Sequence, residues 1–157
     1  SFTGIRIGIS TVKGFCAALQ RPALGVTSFA ALAYNAEGKA LAAIPAGRGF
    51  YYVCGFAEDK SISLSPAYVS GERLAALAEE YPVYAYAPLP VPYTKANPAA
   101  GLLRAVEGAG EEDFGDISAF YLKKSQAEEE REAKARGAET AQKGAAAGDA
   151  AVKGGAK

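Results

Sequence analysis

The alternation of strand-like and helix-like segments between residues 23 and 110 is the feature that most constrains the fold. Four prolines between residues 88 and 98 indicate a connection there rather than a further element. Ser28 and Ser70 stand where the N-caps of two helices are expected. This order of elements is typical of a mixed α/β fold. Composition and apolar spacing predict strands at 23–27, 39–44, 49–59, 61–70 and 82–87, and helices at 28–36, 70–81 and 99–110.

The first 20 residues predict a helix with two apolar sides that ends before Pro22. We expect the side with larger residues to pack on a sheet. The side with small residues suits the close approach of a second helix, either within the chain or in a partner. The large-residue seam is Ile5, Ile9, Val12, Cys16 and Leu19, the small-residue seam is Gly4, Ile7, Thr11, Gly14 and Ala18, and the polar face is Arg6, Ser10, Lys13 and Gln20.

The residues at the start of this helix offer a weak candidate anion site. Hydroxyl groups of Ser1 and Thr3, together with the free N–H groups of a helix N-terminus, suit a phosphate or a carboxylate. The alternative is that Thr3 caps the helix and that Gly4 permits a turn or close packing. Both interpretations stay open on the sequence alone.

Charge and the absence of histidine limit the chemistry. Lys plus Arg and Asp plus Glu each number 17, so neither a nucleic-acid backbone nor an acidic membrane is an expected partner. With no histidine, His-based acid–base catalysis and the usual metal ligands are excluded. Cys16 and Cys54 are interpreted as small core residues in a reduced, cytoplasmic compartment. We therefore predict no catalytic residues, no metal site and no cofactor.

The remaining polar groups favour a surface role. Glu79, Glu80 and the acidic residues of 111–116 are expected to be solvated, and the serines at 61, 63 and 65 have no base to activate them. No apolar run is long enough to span a membrane. From residue 125 onward, a charged helix is expected to give way to a disordered Ala/Gly/Lys tail.

Several blocks of sequence resemble one family. Residues 1–8 read Ser-Phe-Thr-Gly-Ile-Arg-Ile-Gly, residues 25–32 read Gly-Val-Thr-Ser-Phe-Ala-Ala-Leu, and residues 120–128 read Phe-Tyr-Leu-Lys-Lys-Ser-Gln-Ala-Glu. With Lys13-Gly14 and Pro22 between the first two, these blocks closely resemble the TsaB (YeaZ) family of tRNA threonylcarbamoyladenosine biosynthesis proteins. Family members continue upstream of the first block, so the resemblance predicts an N-terminally truncated, divergent member.

The resemblance implies an actin-like ATPase (ASKHA) fold with two α/β lobes, the first incomplete. Residues 1–43 would be the remainder of the first lobe, 44–123 the second lobe, and 124–157 the charged helix and tail. It also implies a non-catalytic subunit that pairs with TsaD, acts with the ATPase TsaE, and meets tRNA only through the complex. Ile7, Thr11, Gly14 and Ala18 are then expected to face a helix of TsaD. The alternatives are a glycoprotease-like hydrolase and a self-associating scaffold, which could use the same seam as a homodimer.

One difference from a paralogous family and one departure from the TsaB pattern accompany the resemblance. The paralogous TsaD family places a His-x-x-x-His metal motif where this chain has Thr27-Ser28-Phe29-Ala30-Ala31, so that metal site is not expected here. The TsaB family also usually opens its second lobe with Asp-Ala-Arg-x-Gly-Glu-Val-Tyr. Pro45 and Phe50 replace the two acidic residues of that block, which puts any role of those acids in doubt.

Overall fold

The structure is a computed structural model, and it describes residues 2–122. Every helix and strand that the sequence predicts within this range is present in the predicted order, together with two short strands that it does not predict. The predicted charged helix and tail, 124–157, lie outside the described residues, as does Ser1. In chain order, the elements are α1 Phe2–Leu19, β1 Ala23–Leu24, α2 Ser28–Ala33, β2 Ala40–Gly47, β3 Phe50–Phe56, β4 Ile62–Ser70, α3 Gly71–Glu80, β5 Val83–Ala85, β6 Thr94–Lys95, α4 Pro98–Glu107, a 3-10 turn Glu111–Asp113 and β7 Phe114–Gly115.

A five-stranded sheet in the order β4-β3-β2-β5-β6 forms the centre of the described part. The first three strands are antiparallel, whereas β5 and β6 run parallel to β2 and to each other. A parallel return needs a crossover connection, and α3 supplies it between β4 and β5. The β2–β3 hairpin turns through Gly47, Arg48 and Gly49, which have φ angles of 83°, 54° and 77°. Glycine adopts such angles at little cost, which explains its presence on both sides of Arg48.

The two faces of this sheet pack against different helices. Ala42 of β2 and Cys54 of β3 lie in one apolar cluster with Leu32 of α2. Their sequence neighbours Leu41 and Val53 point to the other face and pack with Leu74 of α3. Because successive residues of a strand alternate between faces, one strand contributes to both clusters. Strand β2 is therefore buried on both sides.

Capping residues set the ends of the shorter helices. Ser70 caps α3 as predicted, since its hydroxyl accepts a hydrogen bond from the backbone N–H of Arg73 at 3.4 Å. The prediction that Ser28 caps α2 is wrong by one residue. Thr27 is the cap, and its Oγ1 accepts from the backbone N–H of Ala30 at 3.1 Å. Threonine satisfies the same orphan N–H groups as serine, so the sequence does not discriminate between these neighbours.

Two short strands were not predicted. Strand β6 lies within the proline-rich connection and pairs with β5 through Tyr84↔Thr94. Strand β7 pairs with β1 in a separate two-stranded sheet through Leu24↔Phe114. Two-residue strands carry no measurable periodicity, so tertiary pairing alone defines them. Strand β1 is also shorter than the predicted strand 23–27 because Thr27 already belongs to the cap of α2.

Residues 2–122 lie within one compact unit. The predicted boundary between residues 43 and 44 falls inside β2, a central strand that pairs with β3 on one side and with β5 on the other. The division of this range into two lobes stays a prediction.

Candidate protein interaction surface

Helix α1 contacts the rest of the described chain through one narrow face. Within residues 3–19, Ile9 and Cys16 are half-buried and every other residue is exposed. On the same side, Lys13 forms an ion pair with Asp116 at 2.8 Å, and the Arg6 guanidinium lies 5.8 Å from the centre of the Tyr121 ring. At 100° per residue these four helix residues fall within about 80° of one another. They define the docked face of α1.

The small-residue seam points away from the docked face, with its centre about 150° around the helix. Ile7 is 62% exposed, and Thr11, Gly14 and Ala18 are exposed as well. A Cβ atom added at Gly14 would meet nothing within 4 Å in the described structure. The structure thus gathers the predicted interface residues on one outward side, and no described internal contact explains their small size.

Phe15 belongs to the same exposed side and was missed from the sequence. Its side chain is 63% exposed, next to Thr11 and Ala18 on the helix surface. Phe15 lies between the two seams, which follow steps of four and three residues along the helix. Its size is the signal that could have found it, because an exposed phenylalanine in a helix of small residues is a candidate anchor for a partner.

The large-residue seam packs less completely than predicted. Its middle, Ile9 and Cys16, is half-buried, whereas Ile5, Val12 and Leu19 are 46%, 41% and 69% exposed. Among the described elements, the sheet contact of α1 is mainly with the short strand β1. A two-residue strand is too small to cover an 18-residue helix, so the expected burial on a sheet is wrong for most of this seam.

The candidate anion site keeps two described members. Thr3 and Gly4 lie inside the first turn of α1, which begins at Phe2. The expectation that Thr3 caps this helix is therefore wrong, because a cap precedes the first helical residue. Anion binding at this turn stays a prediction.

Ser61, for which the sequence predicted no neighbouring base, lies beside the carboxylate of Asp59. Ser61 donates a hydrogen bond to Asp59 at 2.6 Å, and its backbone N–H donates to the same carboxylate. These hydrogen bonds lower the pKa of Asp59, which makes it a weaker base. The predicted surface acids, Glu79, Glu80 and those of 111–116, are exposed. Among residues 2–122, no three His, Cys, Asp or Glu side chains cluster closely enough to hold a metal ion.

An open groove of about 460 Å³ lies between α2, the β3–β4 hairpin and the segment around β7. Its lining is mostly apolar, with Lys60 and Asp113 as its charged members. Cys54 is part of the lining, and burial raises the pKa of its thiol to about 11. The nucleophilic form of cysteine is the thiolate, so Cys54 is inert near neutral pH.

None of the helices in the described range has both the length and the apolar character needed to cross a membrane.

A comparison with protein families decides where the chain belongs. The model of the family described as TsaD, tRNA N6-adenosine threonylcarbamoyltransferase, matches residues 1–148. The chain belongs to the TsaD family. This family is associated with the synthesis of threonylcarbamoyladenosine in tRNA.

Two solved structures from Pseudomonas aeruginosa are similar to this TsaD-family chain. One is an uncharacterised protein described as similar to the peptidase YeaZ, with 25% identity over 78% of this chain and 69% of that one, at a TM-score of 0.52. The other is YeaZ, with 23% identity over 76% of this chain and 70% of that one, at a TM-score of 0.54. Within the TsaD family the chain is therefore YeaZ-like, which confirms the resemblance to TsaB (YeaZ) and the actin-like ATPase fold class.

The positions that depart from the two family motifs have structural uses in this TsaD-family chain. Thr27 caps α2, while Phe29 and Ala31, only 6% and 8% exposed, contribute to the core. Phe50, which replaces one of the acids, stacks on Tyr68 with ring centres 4.8 Å apart and planes 8° from parallel. Pro45, which replaces the other, lies beside an irregularity in the β2–β3 register. Thr27, Phe29 and Ala31 support folding in the described structure, and Phe50 contributes an aromatic contact.

Proposed function

We propose that this chain is a non-catalytic partner subunit of the complex that synthesises threonylcarbamoyladenosine in tRNA. It binds TsaD through the outward side of α1, it acts together with TsaE, and it meets tRNA only through the complex. The single observation that carries the proposal is the outward position of Ile7, Thr11, Gly14 and Ala18, with open space around Gly14. Membership of the TsaD family supplies the reaction to which such a surface belongs.

The composition of this surface suits a partner helix. Small residues at Gly14 and Ala18 let two helix axes approach to about 8 Å, the close end of helix packing. Ile7 and Phe15, which are 62% and 63% exposed, supply apolar area at the edges. Burying two such side chains stabilises a complex by about 1–2 kcal/mol each. The surface thus combines a close backbone contact with two apolar anchors.

A role without catalysis is supported by the chemistry of the described residues. The nearest approach to a nucleophile and base is Ser61 with Asp59, where the pKa of the carboxyl is lowered and its basicity reduced. A second candidate nucleophile, Cys54, is a protonated thiol. Nothing in this arrangement favours the hydrolase alternative, although one structural neighbour is described by its similarity to a peptidase.

The test is the Gly14→Arg variant, with TsaD binding measured by calorimetry and folding by thermal melting. A Cβ atom at Gly14 meets nothing within 4 Å in the described structure, and an arginine side chain there would project into the proposed helix contact. We expect at least a tenfold loss of TsaD affinity, which is about 1.4 kcal/mol, with the melting temperature unchanged or slightly raised.

Gly38→Arg is the matched control, because a Cβ atom at Gly38 also meets nothing within 4 Å and Gly38 lies outside α1, between α2 and β2. It should leave TsaD affinity unchanged. Undiminished binding by Gly14→Arg would refute the proposed surface. Loss of self-association by Gly14→Arg, with no TsaD binding by the unmodified chain, would favour the scaffold alternative instead.

A further inference from the structure

The docked face of α1 is held to the rest of the chain by charge. Lys13 Nζ lies 2.8 Å from Asp116 Oδ1 and 3.0 Å from Asp116 Oδ2. The Arg6 guanidinium lies 5.8 Å from the ring centre of Tyr121, within the range of a cation–π contact. Arg6 and Lys13 belong to the polar face that the sequence defines, so two of its four residues serve attachment rather than hydration.

The two contacts come from one segment, residues 116–121, which we call the strap. Arg6 and Lys13 are seven residues apart, so they are separated by about 10.5 Å along the helix axis. Asp116 and Tyr121 are five positions apart in the sequence, which allows a reach of up to about 17 Å. The later helix residue meets the earlier strap residue, so the strap runs antiparallel to α1 and spans both contacts without full extension.

We propose that Asp116 and Tyr121 are positioning residues that hold α1 in the orientation in which its outward side meets the partner, a step that rests on the proposed function. The consequence is unusual for an apolar interface. Affinity for TsaD falls with rising salt, because salt weakens the attachment of α1 to its own chain. Neither strap residue needs to touch the partner.

The charged contacts matter because apolar attachment is slight. Only Ile9 and Cys16 are half-buried within residues 3–19. The Lys13 and Asp116 side chains are 44% and 79% exposed, so dissolved ions reach both. The screening length falls from about 10 Å at 0.1 M salt to about 3 Å at 1 M. Ionic strength therefore acts directly on what holds the helix in place.

Amide hydrogen exchange of the whole chain tests the strap without any partner. Asp116→Lys places two cations together, Lys13→Asp places two carboxylates together, and the double variant restores an attractive pair with its sense reversed. At 0.05 M NaCl we expect each single variant to speed exchange in residues 5–19 by about two- to tenfold. The double variant should exchange like the unmodified chain.

Helix α3 is the internal control, because Leu74 and Leu77 anchor it in the core. Its exchange should be the same in all four proteins, which separates release of α1 from a general loss of stability. At 1 M NaCl the differences among the four proteins should shrink. Equal exchange of residues 5–19 in the unmodified chain and both single variants at low salt would overturn the proposal, whatever TsaD does.

Calorimetry with TsaD tests whether the strap positions α1 for binding to the partner. Asp116→Lys should weaken binding by about two- to tenfold at low salt and much less at 1 M NaCl. Gly14→Arg should weaken TsaD binding at both salt concentrations. Faster exchange in α1 with unchanged affinity at low salt would overturn the positioning role. If the unmodified chain does not bind TsaD at all, the proposed function fails, and the exchange result alone decides whether the strap holds α1.

Discussion

Replacing Gly101 by alanine should strongly destabilise the packing of α4 on α2. The Cβ atom of alanine would overlap the carbonyl oxygen of Ala31, and it would stand 2.6 Å from Asn35 Nδ2 and 2.8 Å from the Ala31 carbonyl carbon. Backbone atoms cannot swing aside, so the helices must separate. Overpacking of this kind costs about 1–3 kcal/mol.

Asn35 adds to that cost because it bridges the two helices. Its Nδ2 donates to the carbonyl oxygen of Ala31 at 2.9 Å, and its Oδ1 accepts from the backbone N–H of Asn97 at 3.0 Å. Displacing the amide loses about 0.5–1.5 kcal/mol for each bond. The better helix propensity of alanine returns only about 0.5–1 kcal/mol. The net loss should be about 2–4 kcal/mol, a large share of the total stability of a domain this size.

Thermal and urea unfolding followed by circular dichroism measure this loss. For the roughly 120 described residues, 2–4 kcal/mol corresponds to a fall in melting temperature of about 6–15 °C. Gly14→Ala is the matched control, since its Cβ meets nothing within 4 Å and it should be neutral or slightly stabilising. A Gly101→Ala protein that melts at or above the temperature of the unmodified chain would show that α2 and α4 do not pack as described.

Two further predictions concern α3 and the buried thiol. Ser70→Ala removes the acceptor for the backbone N–H of Arg73 and should cost about 1 kcal/mol in urea unfolding; an unchanged midpoint would show that water replaces the cap without loss. In a Cys16→Ser background, Cys54 should react with iodoacetamide far more slowly in the folded chain than in denaturant, because a pKa of about 11 leaves about one thiol in a thousand ionised at pH 8. Its rate should rise about tenfold per pH unit between pH 8 and 10, and stability should fall as pH rises from about 9 to about 11, since the unfolded thiol ionises first. A fast, pH-independent reaction in the folded chain would contradict the burial.

The sequence predicts the antiparallel strands β2, β3 and β4 and the crossover helix α3 because each of these elements has a local sequence signal. Strand β3 is rich in aromatic and β-branched residues, the segment of β4 alternates apolar and polar residues, and Ser70 combines a cap with the start of an amphipathic helix. Strands β6 and β7 have two residues each, and they exist only because β5 and β1 offer partners. Such pairings form only in the folded chain, so no local sequence pattern predicts them.

The candidate surface was likewise predicted only in part from the sequence. Periodicity places Ile7, Thr11, Gly14 and Ala18 on one side of a helix, and the structure keeps them together. Periodicity does not tell which side a helix turns inward, and that is where the expectation for the large-residue seam is wrong. The docked face combines Ile9 and Cys16 with the charged residues Arg6 and Lys13, whose partners are more than 100 residues away in the sequence.

Hydrogen exchange of the unmodified chain with and without TsaD directly tests the proposed contact between α1 and TsaD. We expect a complex in which amide exchange slows across residues 5–19 of α1, while α3 and the strands β2, β3 and β4 keep the exchange rates of the free chain. A stable complex with unchanged exchange in α1, and slowed exchange in another part of the chain, would contradict it.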